Sequence, residues 1–348
     1  MNKILILLLF PILVFSQNIK GKVTNSNNEP IEGASVYLDG TTIGTLSDSN
    51  GLFEISASNK YNTLLIVRFL GYEDIIVSNP YEKDFYTFIL VPKTNEIETV
   101  LVVKDGFTRK QKMQLFKEQF LGVTKYGKAC KILNEDAIDF NYDLDTFLFT
   151  ATSSEPIKVE NPELGYIIEF DLHNFYVKFN FKTIKPGFAI ESMYLGTAKY
   201  TDISTEDKII KNRKDVYLGS SMHLFKSVID NSWSPKGFIL YEGKFSVNPN
   251  HYFKVAKAND LYEVTVTETN KNAGLNLGGI SRKGFYADFN LLYTKKRQSR
   301  VVFKTETFFI DNFGNTTHRD QIIFGGDIGQ QKVGNTLPLN FELEITEK

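Results

Sequence analysis

Four histidines are the residues of this chain best suited to acid–base or metal chemistry. They stand singly, in the segments HNFY, HLFK, HYFK and HRDQ: His173, His223, His251 and His318. A zinc peptidase needs a His-x-x-Glu pair and a distant third ligand, and none of the four has a glutamate at that spacing. The sequence therefore predicts no metal-binding residue, and each histidine is interpreted as a packed or surface side chain.

Signals for other catalytic chemistry are equally weak. Gly219-Ser220-Ser221 lacks the second glycine of a nucleophile elbow, and Ser220 fits better as the N-cap of a helix. The glycine-rich stretch 274–279 lacks the strand-then-helix context of a phosphate loop. The acidic run Glu135–Asp145 could supply paired carboxylates for glycoside hydrolysis or calcium binding, but a solvated strand face explains it better. No catalytic residue and no cofactor is predicted, and the sequence favours a protein that is not an enzyme.

A simple structural test separates catalysis from binding. A deep pocket that gathers two or more of the candidate acids and bases would favour a hydrolase acting on peptide or glycan. Those candidates are Glu135, Asp139, Asp143, His173 and His223. A flat surface with exposed aromatic side chains would instead favour a binding protein. The aromatic candidates are Trp233, Tyr241 and Tyr252.

The N-terminus has the pattern of a secretory signal. Lys3 precedes an apolar run, Ile4–Phe15, and the small residue Ser16 follows it, so we predict a signal peptide over residues 1–16. The run is too short to span a bilayer, and no later stretch predicts a transmembrane helix. Cys130 is the only cysteine, so the exported chain forms no internal disulfide, and we interpret this side chain as a small buried apolar group.

The first module of the mature chain alternates apolar and polar residues in short runs, which is typical of strands. The runs are Ile19–Thr24, Ala34–Leu38, Thr42–Ser47, Leu52–Ala57, Leu64–Phe69 and Phe85–Val91. Turn residues such as Asp39-Gly40 and Asn50-Gly51 separate them. Both central residues of an Asn-Gly turn are expected at positive φ, and Asp48 is expected to accept backbone N–H bonds of its own turn.

These residues carry a family resemblance. The pattern Gly-x-Val, Pro-Ile-x-Gly-Ala-x-Val, Ser-Asp-x-x-Gly-x-Phe and Phe-x-Gly-Tyr, from Gly21 to Tyr72, resembles the carboxypeptidase-like regulatory domain. The resemblance implies a transthyretin-like β-sandwich that carries no chemistry of its own. Later segments, including FLGVTKYGKACKILNED and NPELGYIIEFDL, resemble exported proteins of the Bacteroidetes cell envelope that carry this domain. TonB-dependent receptors often begin with the same sandwich.

The rest of the chain combines helices with β-rich segments. Apolar residues recur at helical spacing in Thr108–Leu121 and Ser220–Asp230, and Gly122 is expected to end the first helix. A short strand, Glu98–Val103, is expected in the connector. Further strands are expected at Tyr166–Phe181, Leu261–Glu268, Phe285–Tyr293 and Val301–Ile310, and Asp311–Asn315 is expected to form a turn.

The charges of the chain are segregated although their sum is −1. Ten acidic residues and one lysine lie between Glu135 and Asp171, whereas nine basic residues outnumber five acids between Arg282 and Lys332. Pairing or solvation of strand faces is the preferred interpretation, with an anionic partner as the alternative. A nucleic-acid partner is not expected for an exported, near-neutral chain.

The sequence therefore predicts a mostly β protein: an N-terminal transthyretin-like β-sandwich followed by an α+β domain with a large antiparallel sheet. The predicted segments are a signal peptide at 1–16, the sandwich at 17–92, a connector and amphipathic helix at 93–128, and the β-rich domain at 129–348. We expect an exported envelope or periplasmic binding or scaffold protein, with an envelope protein or glycan as partner and with possible peripheral association with the outer membrane or cell surface. The alternatives are an accessory protein of a TonB-dependent uptake system and a hydrolase.

Overall fold

The structure, a computed structural model, describes residues 17–93, 105–269 and 286–343. The predicted signal peptide, the connector strand Glu98–Val103 and the glycine-rich stretch 274–279 lie outside the described residues. Two compact units are present. The first contains residues 17–37 and 43–93, and the second contains residues 38–42 and the described residues from 105 onward.

The first unit consists of two small sheets. Its strands are β1 (Gln17–Asn25), β2 (Ser35–Leu38), β3 (Gly44–Leu46), β4 (Leu52–Ala57), β5 (Leu65–Arg68), β6 (Ile75–Val77) and β7 (Phe85–Leu90). One sheet has the order β4-β1-β7 and the other β3-β2-β5-β6. In β4 and β7 every second side chain is buried, because successive residues of a strand point to opposite faces. The predicted runs all contain strands, and β6 is a strand that the sequence analysis missed.

The turn before β4 confirms the role predicted for Asp48. Its Oδ1 accepts hydrogen bonds from the backbone N–H groups of Asn50 at 2.9 Å and Leu52 at 2.8 Å. Gly51 has φ +75°, and a Cβ at this position would lie 2.4 Å from the carbonyl oxygen of Val23. Asn50 is not among the residues with positive φ, so the expectation that both turn residues are left-handed was wrong. The side chain of Asp48 holds Asn50 instead.

The first half of the second unit packs three helices against a six-stranded sheet. Its elements are α1 (Arg109–Phe120), α2 (Lys125–Ala129), β8 (Lys131–Ile132), β9 (Ile138–Asp143), β10 (Leu148–Ser153), β11 (Ile157–Asn161), β12 (Tyr166–Lys178), β13 (Glu191–Asp202) and α3 (Asp207–Tyr217). The sheet order is β8-β11-β12-β10-β9, and β13 pairs along the whole of β12. Helix α1 buries Met113, Leu115, Phe116 and Phe120 in the core of this half.

Both predicted helices are present, and their ends follow the predicted caps. Thr108 and Gln111 form a capping box at the start of α1, which satisfies free N–H groups of the first turn. The C-cap of α1 is Leu121, and Gly122, the residue predicted to end the helix, follows it with φ +91°. Ser220 caps the second predicted helix, α4 (Ser221–Ile229), and its side chain accepts a hydrogen bond from the N–H of His223.

The second half of the second unit has its own core and two antiparallel sheets. After α4 come β14 (Phe238–Glu242), β15 (Phe245–Ser246), β16 (Phe253–Ala258), β17 (Leu261–Val266), β18 (Ala287–Tyr293), β19 (Arg297–Phe303), β20 (Thr307–Ile310), β21 (Ile322–Gly325) and α5 (Gly326–Gly329). The five-stranded sheet has the order β15-β14-β18-β19-β21, and the three-stranded sheet has the order β16-β17-β20.

The prediction of one strand over Val301–Ile310 was wrong. The chain leaves β19 after Phe303 and enters β20 at Thr307, in a different sheet. The buried positions change from Val301 and Phe303 before the break to Phe308 and Ile310 after it, so the period of two shifts by one residue although all four side chains reach the same core. The mostly β fold class is confirmed, with small sheets first and a larger sheet domain with helices after them. None of the helices in the described ranges is long and apolar enough to cross a membrane.

Candidate functional site

A cavity of about 310 Å³ lies in the second unit. Its described walls come from the start of α4, the loop after β20, strand β21 and the segment after α5. The lining residues are Val216, Ser220, Ser221, Met222, Phe225, Gly314, Asn315, Thr316, Ile322, Phe324, Gln331, Asn335, Thr336, Leu337 and Leu339. None of these fifteen residues has an ionisable side chain. We call this space the neutral cavity.

The loop that forms one wall is held by a buried carboxylate. Asp311 is 1% exposed, and its Oδ1 accepts hydrogen bonds from the N–H groups of Phe313 at 2.8 Å and Asn315 at 3.0 Å. Its Oδ2 accepts a hydrogen bond from Nδ2 of Asn315 at 2.9 Å. A buried charge is tolerated only where such donors surround it. The predicted turn at Asp311–Asn315 is therefore present, and it forms part of a cavity wall.

A second cavity, of about 330 Å³, shares Val216, Gln331 and Asn335 with the neutral cavity. Its other lining residues are Thr124, Lys125, Tyr126, Asp215, Arg297 and Asp327. The guanidinium of Arg297 is already engaged, because its Nε donates to Asp327 Oδ2 at 2.6 Å and its Nη1 donates to the carbonyl of Leu218 at 2.6 Å. This space, the charged cavity, therefore has an internally paired arginine on its wall.

The predicted acids and bases do not line either cavity. Glu135, Asp139, Asp143, His173 and His223 are absent from both sets of described lining residues. Asp143 accepts hydrogen bonds from the N–H groups of Asp145 and Thr146, and the pKa of this exposed carboxyl is lowered by them. His173 pairs through Nε2 with Asp171 at 3.1 Å. The structure does not bring these side chains together into one pocket.

The aromatic candidates for a flat binding surface are half-buried. Trp233 stacks on Phe253 with ring centroids 5.9 Å apart, and the hydroxyl of Tyr252 donates to Glu242 at 2.6 Å. Tyr241 is likewise intermediate in burial. The exposed aromatic side chain of this region is Phe245, at 79%. The three predicted side chains therefore contribute to packing more than to an open aromatic face.

The segregated charges form ion pairs with close neighbours in each half of the second unit. These pairs are Lys117–Glu135, Lys131–Glu160, Lys208–Glu163, Arg297–Asp327 and Arg300–Asp288. Exposed pairs of this kind contribute little to stability. The acidic and basic segments are therefore partly neutralised where they stand.

His223 is a half-buried neutral histidine next to Met222, which lines the neutral cavity. Its Nδ1 accepts a hydrogen bond from the N–H of Gly219 at 3.0 Å, and its ring packs against Tyr217, Phe238 and Tyr293. Burial, and to a smaller extent the nearby charge of Arg297, lower the pKa of His223 to about 4. The ring is therefore a structural acceptor at neutral pH, since Nδ1 carries no proton.

We expect this histidine to make stability depend on pH. The unfolded chain binds a proton at His223 below pH 6.5 and the folded protein only below about pH 4, so the contribution of the neutral ring is fully present above pH 6.5 and is lost as the pH falls towards 4. Protonation of His223 in the unfolded chain should therefore lower the free energy of unfolding by about 2 kcal/mol when the pH falls from 7 to 4.5. The comparison variant is His223→Asn. The Oδ1 of this asparagine can accept the hydrogen bond from the N–H of Gly219, and the side chain does not titrate. Equal pH dependence of urea unfolding in the two proteins would contradict the assignment.

Cys130 has the environment expected of an unreactive thiol. Its Sγ donates a hydrogen bond to the carbonyl of Tyr126 at 3.3 Å. Burial raises the pKa of this thiol to about 12, and the thiolate is the nucleophilic form. At neutral pH the side chain is therefore a small packed group, as its type predicts.

The sequence analysis placed part of the lining of the neutral cavity in the helix Ser220–Asp230 and the turn Asp311–Asn315, but it predicted no cavity between them. Asn335 is the last residue of a 3₁₀ turn, Val333–Asn335, and its Oδ1 accepts a hydrogen bond from Thr124, 211 residues earlier. Such a pairing has no signature in local spacing. The sequence predicted the turn Asp311–Asn315 and the capped helix Ser220–Asp230, but no sequence pattern indicated that the two pack against each other.

Comparisons with known proteins concern mainly the first unit. The chain is similar to the TonB-dependent receptor SusC of Bacteroides thetaiotaomicron, with 33% identity over 119 residues, which are 32% of this chain and 11% of the receptor. A solved 9R-lipoxygenase from Cyanothece PCC8801 aligns with 68% of this chain and 51% of its own, at 10% identity and a TM-score of 0.18, too low to indicate a shared fold. Residues 19–102 match the family described as the CarboxypepD_reg-like domain. The chain therefore carries a carboxypeptidase-regulatory-like domain at its N-terminal end.

Proposed function

We propose that the chain is an exported, non-enzymatic binding protein of the cell envelope whose second unit holds a small uncharged ligand. The observation that supports this is the neutral cavity, in which apolar side chains such as Phe225 and Leu337 alternate with amides and hydroxyls. Ligand sites typically combine apolar walls with a few polar groups. Hydrolysis would require a group that can exchange a proton beside the reacting bond. The described residues that line the neutral cavity offer hydrogen-bonding amides and hydroxyls and no such proton-exchanging group.

The size of the cavity limits the ligand. A volume of about 310 Å³ is at the lower end of the range for ligand pockets, about 300 to 1,000 Å³. One small molecule, or one side group of a larger partner such as an envelope peptide or glycan, would fill it. The signal-peptide pattern at residues 1–16 supports export, and the location in the periplasm or at the outer membrane is part of the proposal.

The binding proposal is tested with toluene as the probe, because toluene requires only an apolar space. Saturation-transfer NMR on the full chain should detect toluene bound to the wild-type protein. Ser221→Phe, at a wall of the neutral cavity, should fill the space and abolish the signal. Gly243→Ala changes a turn residue with open space around it and should leave the signal intact. An equal signal in a folded Ser221→Phe protein would refute the proposal.

A second candidate function is an accessory role in a TonB-dependent uptake system. The similarity to SusC over 119 residues supports it. Crosslinking in the native envelope should then recover this chain together with a TonB-dependent receptor, and a variant lacking residues 19–102 should lose that receptor. Recovery of the receptor by the truncated chain would contradict a role for the regulatory-like domain in this contact.

A further inference from the structure

Within the described residues, strand β13 leaves part of its backbone unpaired at the edge of the six-stranded sheet. One side of the strand pairs with β12 along its whole length. On the other side, the N–H of Gly40 donates to the carbonyl of Ala198 at 2.6 Å, and the N–H of Tyr200 donates to the carbonyl of Thr41 at 3.0 Å. Ala198 and Tyr200 therefore direct their backbone groups outward, and the edge accepts a neighbouring segment there.

The unpaired groups lie in the first part of β13. In an antiparallel pair, the N–H and C=O groups of every second residue point to the same side, and the bulge in this pairing lies on β12. Ser192, Tyr194 and Gly196 therefore direct their backbone groups outward. No backbone hydrogen bond joins these outward groups to a further segment of the described ranges. The edge is thus open over residues 191–197.

The open stretch carries exposed apolar side chains. Met193 is 37% and Leu195 is 58% exposed. They lie on the opposite face of the sheet from the ring of Tyr194, which packs on Phe120 at a centroid distance of 5.5 Å, because successive side chains of a strand alternate. An exposed apolar strand edge is a template for pairing with another strand.

Another edge of this protein carries charges that oppose such pairing. Strand β16, at the edge of the three-stranded sheet, has Lys254 and Lys257 among its exposed residues. Lysines on an edge strand disfavour the addition of a second strand. Between Glu191 and Lys199, β13 has neither a charged residue nor a proline, so its edge lacks this protection.

We propose that the open edge of β13 pairs antiparallel with the same edge of a second copy of this chain. A two-fold axis beside Tyr194 places Ser192 opposite Gly196 of the second copy, so the outward N–H and C=O groups of the two strands bind each other. The same register places Met193 opposite Leu195 of the second copy. Directly opposed apolar side chains of this kind stabilise a sheet.

The positions of the outward groups select this register. A shift by one residue would set outward groups against groups that already pair with β12. A shift by two residues would set Ser192 opposite Ala198, which Gly40 already binds, or Gly196 opposite Ile190, whose N–H already donates to a carbonyl of β12. The edge is therefore complementary to itself over its open length.

Charge and size are compatible with a dimer. Glu191 lies opposite Thr197 of the second copy, so no like charges face each other across the new pair. One pair of short strands is a small interface, and we expect a dissociation constant in the micromolar range. The inference is independent of the proposed function, because none of the residues 191–197 lines the neutral cavity.

Sedimentation velocity of the full chain tests the proposal. The wild-type protein should change from monomer to dimer as its concentration rises through the micromolar range. Leu195→Lys removes one apolar contact in each copy, each worth about tenfold in affinity, so the dissociation constant should rise about a hundredfold. Val255→Lys is the matched control. It replaces an apolar side chain that is 38% exposed on the edge strand β16, and it should leave the dissociation constant unchanged.

Disulfide formation tests the register. Met193→Cys and Leu195→Cys are made as separate variants in a Cys130→Ser background. Directly opposed residues have Cβ atoms about 4.5 to 5.5 Å apart, which is close to the spacing of a disulfide. The mixed variants should therefore form an intermolecular disulfide under oxidation. Either variant alone should form much less, because its two cysteines are diagonal to each other.

Three results would overturn the proposal. The first is a wild-type protein that stays monomeric through the micromolar range, which would leave the edge to a strand of another protein. The second is an equal dissociation constant for Leu195→Lys and Val255→Lys, and the third is a mixture that crosslinks no better than either cysteine variant alone. The wild-type series and the disulfide test decide the matter even if Leu195→Lys does not fold. Toluene binding is measured separately, so this proposal and the proposed function fail independently.

Discussion

Replacing Arg213 by methionine is expected to lower the free energy of unfolding of the second unit by about 3 to 5 kcal/mol, as for other buried charged networks that lose one partner. Arg213 lies on α3 and is 7% exposed. Its Nε donates to the carbonyl of Leu164 at 2.8 Å, and its Nη2 donates to the carbonyls of Gly165 at 3.1 Å and Ser204 at 2.9 Å. In the variant the carbonyls of Leu164 and Ser204 would lose this donor, whereas the carbonyl of Gly165 would keep the N–H of Ile203 at 2.9 Å.

The same guanidinium neutralises a carboxylate and covers a ring. Both oxygens of Asp202 accept from it, at 3.0 Å and 2.9 Å, and its centre lies 4.0 Å from the ring centroid of Tyr166. Methionine keeps part of the packing volume but has no donor. The free energy of unfolding of Arg213→Lys should lie between those of the wild-type protein and Arg213→Met, because lysine keeps the charge but cannot reproduce the planar fork of five N–H donors.

The matched control is another basic residue of α3. Lys208 pairs with Glu163 at 3.0 Å, but its side chain is 68% exposed, so Lys208→Met should cost less than about 1 kcal/mol. Urea unfolding followed by circular dichroism measures both. A similar small cost for the two variants would show that the Arg213 network contributes little net stability.

The first unit was largely predictable because its determinants are local. Asp48 acts on residues within four positions of itself, and buried and exposed side chains alternate along β4 and β7. A turn residue determines its own turn wherever it stands in a fold. The resemblance to a known domain added the expectation of a β-sandwich, which alternation alone does not provide.

Helix α3 was missed for a physical reason. Its buried face includes Asn212 and Arg213, so the apolar periodicity that reveals a helix is interrupted by the polar side chains that bind Glu163, Leu164 and Gly165. A search for apolar spacing cannot distinguish such a face from a solvated one. The buried arginine was invisible for the same reason.

The neutral cavity was not predictable from the sequence because no short segment forms it. Ser221, Asn315 and Asn335 are separated by 94 and 20 positions, and each reaches the cavity through a different element. Locally, Ser221 begins helix α4, and Asn315 and Asn335 belong to turns. Only the packing of the start of α4 against the loop after β20 and the segment after α5 turns these local features into a site.

Replacing Gly314 by alanine tests how closely the loop after β20 packs against α4. Gly314 has φ +88°, and a Cβ there would lie 2.2 Å from the carbonyl oxygen of Met222 and 3.2 Å from the backbone nitrogen of Lys226. Both are backbone atoms of α4, so no side-chain rotation relieves the contact. The left-handed conformation costs alanine about 1 to 2 kcal/mol and the overpacking about 1 to 3 more. We expect a loss of about 3 to 4 kcal/mol in the free energy of unfolding.

Gly243→Ala isolates the conformational part of this cost. Gly243 has φ +60°, and nothing lies within 4 Å of the position of its Cβ, so only the left-handed backbone is penalised, by about 1 kcal/mol. The free energies of unfolding of the two variants, measured with urea, therefore differ by the cost of the clash alone.

The two variants should also differ in binding. Because Gly314 lines the neutral cavity, relief of the clash must move the loop away from α4, and binding of toluene should weaken in Gly314→Ala but not in Gly243→Ala. Equal costs in the two variants would mean that the loop does not pack against α4 as closely as the structure shows.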